Sequence, residues 1–336
     1  LKFLAALLVF FAAPAFAQTV SPTLDAVKQR GFVRCGVSTH LPGFFAPDAA
    51  GAPAGLEVDY CRAMAAAIFA DPGAVRYSSL SGPELVTALA AGEIDVLAAA
   101  TTWTASQDMQ PGIVFVGTMF YDAQGFMVRS ADRFTSATQL SRQPICLLAG
   151  STAIQNAMDY FSANNLVFDL REFPDQAAAA KAYQDGLCKV YSAGTMVLGA
   201  MRSTFAVPEE HIILPEIVAK EPLGAAVRVG DPVWFKIARW THFAMLEAED
   251  LGITQVNVDE LLGSDNAAIK RVLGVEGAYG EAMGLTEDWA YRIIRQVGNF
   301  GESYERNFGA ASRIGLPRGL NALWRDGGLQ YSPPAR

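Results

Sequence analysis

The sequence predicts an α/β protein of two doubly wound lobes followed by a helical C-terminal extension. Three observations carry that reading. Apolar runs of strand length alternate with helix-length amphipathic stretches through residues 24–228, the rhythm of sheets flanked by helices. The alternation repeats in outline from about residue 125, and about 320 residues are more than one small core organises. After Asp231 the apolar spacing turns helical.

In order, 24–29 reads as an opening helix and 32–38 as a strand. Residues 56–69 form an amphipathic helix with Val58, Cys61, Met64, Ala65 and Ile68 on one face. Between them, Ala46-Pro47-Asp48-Ala49-Ala50-Gly51 is turn chemistry. A short strand at 75–78 and a helix at 84–91 precede the run 94–100, whose lost alternation marks a strand covered on both faces. A second sheet is expected from Gly125-Phe126-Met127-Val128 and includes 144–148. The turn Ala149-Gly150-Ser151-Thr152 then leads into a helix at 153–161 with a hydroxyl cap. Strands at 166–171 and 190–192 alternate with helices at 176–186 and 193–201. Residues 212–217 and 223–228 read as strands that return the chain to the first lobe. Helices follow at 234–250, 257–262, 267–273, 287–299 and 304–308. The stripe Trp234, Ile237, Trp240 and Phe243 reads as helix core, so no cofactor is implied.

The first residues point to export. Lys2 precedes the apolar run 3–11, and Ala15-Phe16-Ala17 supplies the small residues expected before signal-peptidase cleavage, so 1–17 reads as a signal peptide removed ahead of Gln18. No other run is long and apolar enough to cross a bilayer. The formal charge of −8 becomes −9 once Lys2 leaves with the leader. That balance argues against nucleic acid and polyanionic membrane surfaces and leaves small ligands or proteins as partners. An exported protein sits where disulfides form, and its four cysteines suit two bridges. Of three connectivities, spacing favours Cys35 with Cys61 and Cys146 with Cys188, each bracketing one helix-sized connection. Zinc is disfavoured: no two cysteines have the close spacing of a structural site, and His40, His211 and His242 are scattered.

The strand at 94–100 empties into Thr101 and Thr102. Ligands of open α/β sheets bind beyond the carboxyl ends of such strands, where these hydroxyls and amides meet a polar head group. Ser151 stands similarly at the start of a helix, a position that caps by default and also binds anions. Phe44, beside Pro42 and Gly43, either stacks on a ligand or anchors its loop.

A resemblance now becomes specific. Thr23-Leu24-Asp25 with Gly31-Phe32-Val33-Arg34-Cys35-Gly36-Val37, the segment 92–104, Ile213-Leu214-Pro215-Glu216-Ile217 with Lys220-Glu221-Pro222-Leu223-Gly224, and Gly319-Leu320-Asn321-Ala322-Leu323-Trp324 resemble the periplasmic general L-amino-acid-binding proteins of polar amino-acid ABC transporters, within bacterial solute-binding protein family 3. The likeness covers the whole mature chain, including its long C-terminal tail. It implies a bilobed periplasmic binding protein whose lobes are joined by two crossings, near 124–128 and 222–227, and close around a ligand. Lobe 1 then takes 23–124, lobe 2 takes 125–221, and 222–336 returns to lobe 1 and continues into the helical extension. The implied partners are a small polar ligand, an amino acid or a relative of one, and an inner-membrane ABC permease. The implied state is a periplasmic monomer without catalytic activity.

The resemblance also implies a binding set. The α-carboxylate falls to Thr102, to a hydroxyl at Ser151 or Thr152, and to an arginine five residues after the threonine, where this chain has Gln107. The acid that meets the α-ammonium corresponds to Gly194. Ala99 and Ala100 stand where relatives carry polar or glycine residues, and Leu85 where a basic residue is usual. Each lost charged partner costs about 2 to 5 kcal/mol. Three readings follow. Arg129, Glu221, Asp122 or Lys189 reaches the cleft and rescues the charges, although each reads first as a solvated or ion-paired residue. The reading preferred from sequence is a less charged or differently charged solute, held by Thr101, Thr102, Gln107, Ser151 and Thr152. The third is a sensor on the same scaffold. The fold also hosts dehydratases of cyclic acids, but the cleft segments offer hydroxyls and amides where acid-base chemistry needs a positioned carboxylate or histidine. Gln107→Arg with Gly194→Asp is expected to create amino-acid binding.

Overall fold

Ser21 starts the first helix, α1 (Pro22–Arg30). Its hydroxyl accepts the Leu24 amide, Pro22 fits the first turn, and Gly31 at φ 82° ends the helix in the left-handed conformation. The computed structural model describes residues 21–80 and 82–336, so the leader expected at 1–17 lies outside the described residues. Next come β1 (Val33–Val37), a small hairpin of β2 (Ala46–Pro47) and β3 (Pro53–Ala54), and α2 (Leu56–Phe69). β4 (Val75–Ser79), α3 (Gly82–Ala91), β5 (Val96–Thr102) and the single turn α4 (Ala105–Asp108) complete this run. β1 pairs in parallel with both β4 and β5, the doubly wound arrangement that aligns their carboxyl ends. Gly55 before α2 is required by sterics: at φ 135° a Cβ there would overlap the Phe44 carbonyl.

The next strand, β6 (Ile113–Arg129), is 17 residues long and begins well before the expected Gly125. It is followed by β7 (Pro144–Leu148), α5 (Thr152–Ala163), β8 (Asp169–Phe173), α6 (Gln176–Gln184), β9 (Val190–Gly194) and α7 (Thr195–Arg202). β10 (His211–Ile213) and β11 (Ala219–Arg228) close the α/β part. The expected second sheet is therefore not separate. Among the described residues one continuous sheet runs β4-β1-β5-β11-β6-β9-β7-β8, with β10 on β6. β6 and β11 are antiparallel to each other; β5 joins β11 on one side, β9 joins the far end of β6 on the other, and so the two strands carry the sheet from lobe to lobe. The strand expected at 212–217 stops at Ile213, before Pro215, and belongs to lobe 2; β11 alone makes the return.

The extension begins with α8 (Pro232–Asp250). Asp231 accepts the Trp234 amide at 2.9 Å, the Ser21 hydroxyl at 2.8 Å and the Thr23 amide at 2.9 Å, locking α1 to α8. α9 (Val258–Leu261), α10 (Ala267–Val272), α11 (Trp289–Gln296) and α12 (Phe300–Asn307) follow. α11 and α12 pack on α2 and α8, where Trp234 and Ile237 are buried as expected. The helix expected over 287–299 breaks at Gly298, φ 99°, and Asn299 restarts α12 with a capping box to Glu302. Asp59 of α2 accepts from Ser303 Oγ at 2.6 Å and Asn307 Nδ2 at 2.7 Å, tying α12 to lobe 1. The tail then reaches a crossing strand: the Asn321 side chain accepts from the Tyr121 amide at 2.7 Å and donates to its carbonyl at 2.9 Å. Among the described residues no helix is long and apolar enough to cross a membrane.

Cys35 of β1 is bridged to Cys61 of α2, and Cys146 of β7 to Cys188 just before β9, with Cα separations of 6.3 and 5.7 Å. Each bridge holds a strand whose carboxyl end faces the space between the lobes.

Candidate functional site

That space is a cleft of about 450 Å³, within the range of small-molecule sites. Its lobe 1 wall is the carboxyl ends of β1 and β5, with Ser38, Thr39 and 99–102, plus Leu85 of α3 and Gln107 and Gln110 at α4. Its lobe 2 wall is the ends of β7 and β9, the first turns of α5 and α7, and Asp175 with Gln176 at the start of α6. Glu57 fastens the lobe 1 wall from behind. It is buried in the first turn of α2 and accepts from the Ser38 amide at 2.8 Å, the Ser38 hydroxyl at 2.6 Å and the Ala100 amide at 2.8 Å. Burial pushes its carboxyl up to about 7 while those hydrogen bonds pull the other way.

Thr101, Thr102, Gln107, Ser151, Thr152 and Gly194 all line the cleft. Gln107 does not cap α4; Thr104 does, by accepting the Gln107 amide at 3.2 Å, while the Gln107 side chain receives Gln110 at 3.2 Å. Ser151 holds the N-cap position of α5, but its hydroxyl is not the cap expected from sequence. It donates to the Leu148 carbonyl at 2.7 Å and so does not cap the first amides of α5, whose residues Thr152 and Ala153 line the cleft. Phe44 lies elsewhere. It is 2% exposed, edge-on to Phe120 at 5.4 Å and to Phe308 at 4.8 Å. The reason is the C-terminal extension, which brings Phe308 beneath the loop and makes Phe44 core; no aromatic residue is among the described residues lining the cleft.

The charged groups come from the crossing strands. Asp122 of β6 and Glu221 of β11 are directly opposite in the ladder, both line the cleft, and each is 6% exposed. Asp122 Oδ1 accepts the Ala123 amide at 2.7 Å, the Thr195 hydroxyl at 2.9 Å and the Met196 amide at 3.2 Å. It therefore caps α7, whose own N-cap, Gly194, has no side chain to do so. Asp122 Oδ2 is buried without a hydrogen-bond partner. Glu221 Oε1 receives only a long contact from Thr152 Oγ1, 3.4 Å. Burial raises Asp122 to about 6 against its hydrogen bonds. Glu221 is raised to about 7 by burial and then by Asp122, with Thr152 opposing.

This pair explains Gly194. A Cβ there would run into Asp122 Oδ2 and lie 3.2 Å from Glu221 Oε2. A carboxylate from β6 thus fills the space beside position 194. Gly194→Asp is consequently expected to subtract rather than add: overpacking costs about 1 to 3 kcal/mol, and a third carboxylate joins a buried pair. Thermal unfolding of the single variant checks this; an unchanged midpoint with improved solute binding would contradict it. The gain expected for the Gln107→Arg, Gly194→Asp pair is withdrawn for the same reason.

Of the four residues named from sequence as substitutes, Asp122 and Glu221 reach the cleft. Arg129 and Lys189 do not: the Arg129 guanidinium donates to the Tyr183 carbonyl and covers its ring at 4.6 Å, and Lys189 pairs with Asp132 at 2.7 Å. The two acids themselves were legible in the sequence. Their pairing across about a hundred residues was not.

A family model for bacterial extracellular solute-binding proteins, family 3, matches residues 33–272. The general L-amino acid-binding periplasmic protein AapJ of Rhizobium johnstonii is 50% identical over 316 residues, 94% of this chain and 93% of its own. The glutamate/glutamine/aspartate/asparagine-binding protein BztA of Rhodobacter capsulatus is 43% identical over 333 residues, 97% of this chain and 98% of its own. An ABC transporter/periplasmic binding protein from Brucella ovis, solved with glutathione bound, superposes with a TM-score of 0.91 at 47% identity. It covers 94% of this chain and 99% of its own.

Proposed function

Since this chain belongs to the bacterial extracellular solute-binding proteins of family 3, we propose that it captures a small polar solute bearing an ammonium group, an amino acid or a relative of one, and presents it in the periplasm to an ABC permease. It acts as a monomer whose lobes, 23–124 with the returning chain and 125–221, close on the solute about the β6 and β11 crossings. The single observation that carries this reading is the buried Asp122–Glu221 pair at those crossings, two acids that line the cleft, one of them with a buried oxygen that has no partner. A desolvated ammonium needs such partners. The first amides of α5 and the hydroxyls of Thr101, Thr102 and Thr152 then receive a carboxylate. Amino acids and glutathione, named for the relatives above, share the required ammonium. The cleft offers carboxylates, but with an ammonium as their partner the site binds rather than reacts.

The pH dependence of binding tests the role of the pair. Asp122 at about 6 and Glu221 at about 7 hold protons in the empty cleft that an arriving ammonium must displace. Affinity for L-glutamine, measured by titration calorimetry, therefore rises with pH between about 5 and 7.5, by up to about tenfold per unit for each proton released, and then levels. The stability of the empty protein moves the opposite way. Folded carboxyls with raised pKa bind more protons than unfolded ones, so stability falls as pH climbs from their ordinary values through 6 and 7. Binding that is flat over this range, with no proton release, would remove the pair from the site.

A further inference from the structure

Building on the reading of the cleft as a solute site, we propose that it is a charge filter: it selects solutes with more ammonium than carboxylate groups, such as basic amino acids and diamines, and rejects dicarboxylates. Among the described residues, the charged groups lining the cleft are Asp122, Asp175 and Glu221, with no arginine, lysine or histidine beside them. Cations close in sequence are committed elsewhere. Lys220 follows the strand alternation to the face opposite Glu221 and is exposed. Arg228 donates to the Ile94 carbonyl at 3.1 Å, and Arg239 to the Val116 carbonyl at 2.5 Å. Arg129 and Lys189 are held by Tyr183 and Asp132, away from the cleft lining.

The polar donors of the cleft suffice for one carboxylate, at the start of α5 and the end of β5. A second carboxylate meets only neutral donors, such as the Thr39 hydroxyl and the Gln107, Gln110 and Gln176 amides, and it enters a site that already holds three acids. A second ammonium has the opposite fortune. Asp175 stands half-buried at the lobe 2 wall, where Oδ1 accepts the Ala178 amide at 2.7 Å and the side chain adds a third acid to the lining. Opposite charges in a closing, water-poor cleft attract strongly, and like charges exclude the wrong partner.

The test is titration calorimetry of the full mature chain at neutral pH with arginine, lysine, 1,4-diaminobutane, glutamine, glutamate and glutathione. The best of the three cationic solutes is expected to bind about tenfold or more tighter than glutamine, and glutamate and glutathione about 100-fold weaker than that solute. Glutamate or glutathione within tenfold of the best cation overturns the filter. Equal binding of glutamine and the cations also overturns it, while leaving the solute site intact. Failure of every amine to bind overturns the solute site itself and the filter with it. Gln107→Arg supplies the missing cation on the cleft rim and is expected to narrow the gap between arginine and glutamate about tenfold or more. An unchanged ratio in that variant would show that the absent cation is not what sets the selectivity.

Discussion

Asp122→Asn combined with Glu221→Gln is expected to weaken binding of an ammonium-bearing solute by about thirty- to several thousand-fold. That range corresponds to the roughly 2 to 5 kcal/mol lost when a buried charge loses its partner. The fold should tolerate the change. An asparagine in place of Asp122 keeps an oxygen for the Ala123 and Met196 amides and the Thr195 hydroxyl, and its new amide nitrogen replaces the oxygen that has no partner. Both substitutions also remove carboxyls that are costly to ionise where they sit, so the empty variant should match or exceed the parent in stability at neutral pH. The rise of affinity with pH should flatten in the same protein. A variant that folds and still binds its solute with parental affinity would exclude the pair from recognition and return attention to Thr101, Thr102 and Gln107.

Opening either disulfide is the second large effect. The bridged residues are 26 positions apart for Cys35–Cys61 and 42 for Cys146–Cys188. Chain entropy makes them worth about 3.5 and about 4 kcal/mol. Paired Cys→Ser variants should therefore lose stability in denaturant titrations by those amounts, the second slightly more. A functional cost follows from where the bridges lie. Cys61 is one helical turn after Glu57, which holds Ser38 and Ala100 at the lobe 1 wall; Cys188 closely precedes the strand that carries Ser192 and Gly194. Loss of well under about 1 kcal/mol in both variants would mean that the unfolded chain is already restrained without them.

Most element positions were legible because they follow from short-range rules. α2 and β7 fall at their expected residues, since one has a clear 3.6-residue face and the other is a compact apolar run beside a Gly-Ser turn. The continuous sheet was not legible. β6 is half-buried along much of its first half as it passes between lobes, so 113–124 lacks a uniform period and only its last residues read as strand. Phe44 was open between ligand and core because the residue that decides it, Phe308, lies in another element far along the chain. Ser151 has the residue type of a cap, yet its hydroxyl donates to the nearby Leu148 carbonyl instead.

The carboxylates show the same division. Position by position, Gln107 and Gly194 read as the loss of a charged pocket. In the folded chain Asp122 occupies the space Gly194 leaves free and caps α7 in its stead. By itself the sequence determined the order of strands and helices, the family and the two lobes, because these rest on local periodicity, caps and motif residues. Which acids line the cleft, and that no base joins them among the described residues, only the tertiary structure decided. Glu221 and Asp122 meet through the register of two antiparallel strands, and a register is set by the packing of a whole sheet rather than by the residues around either one.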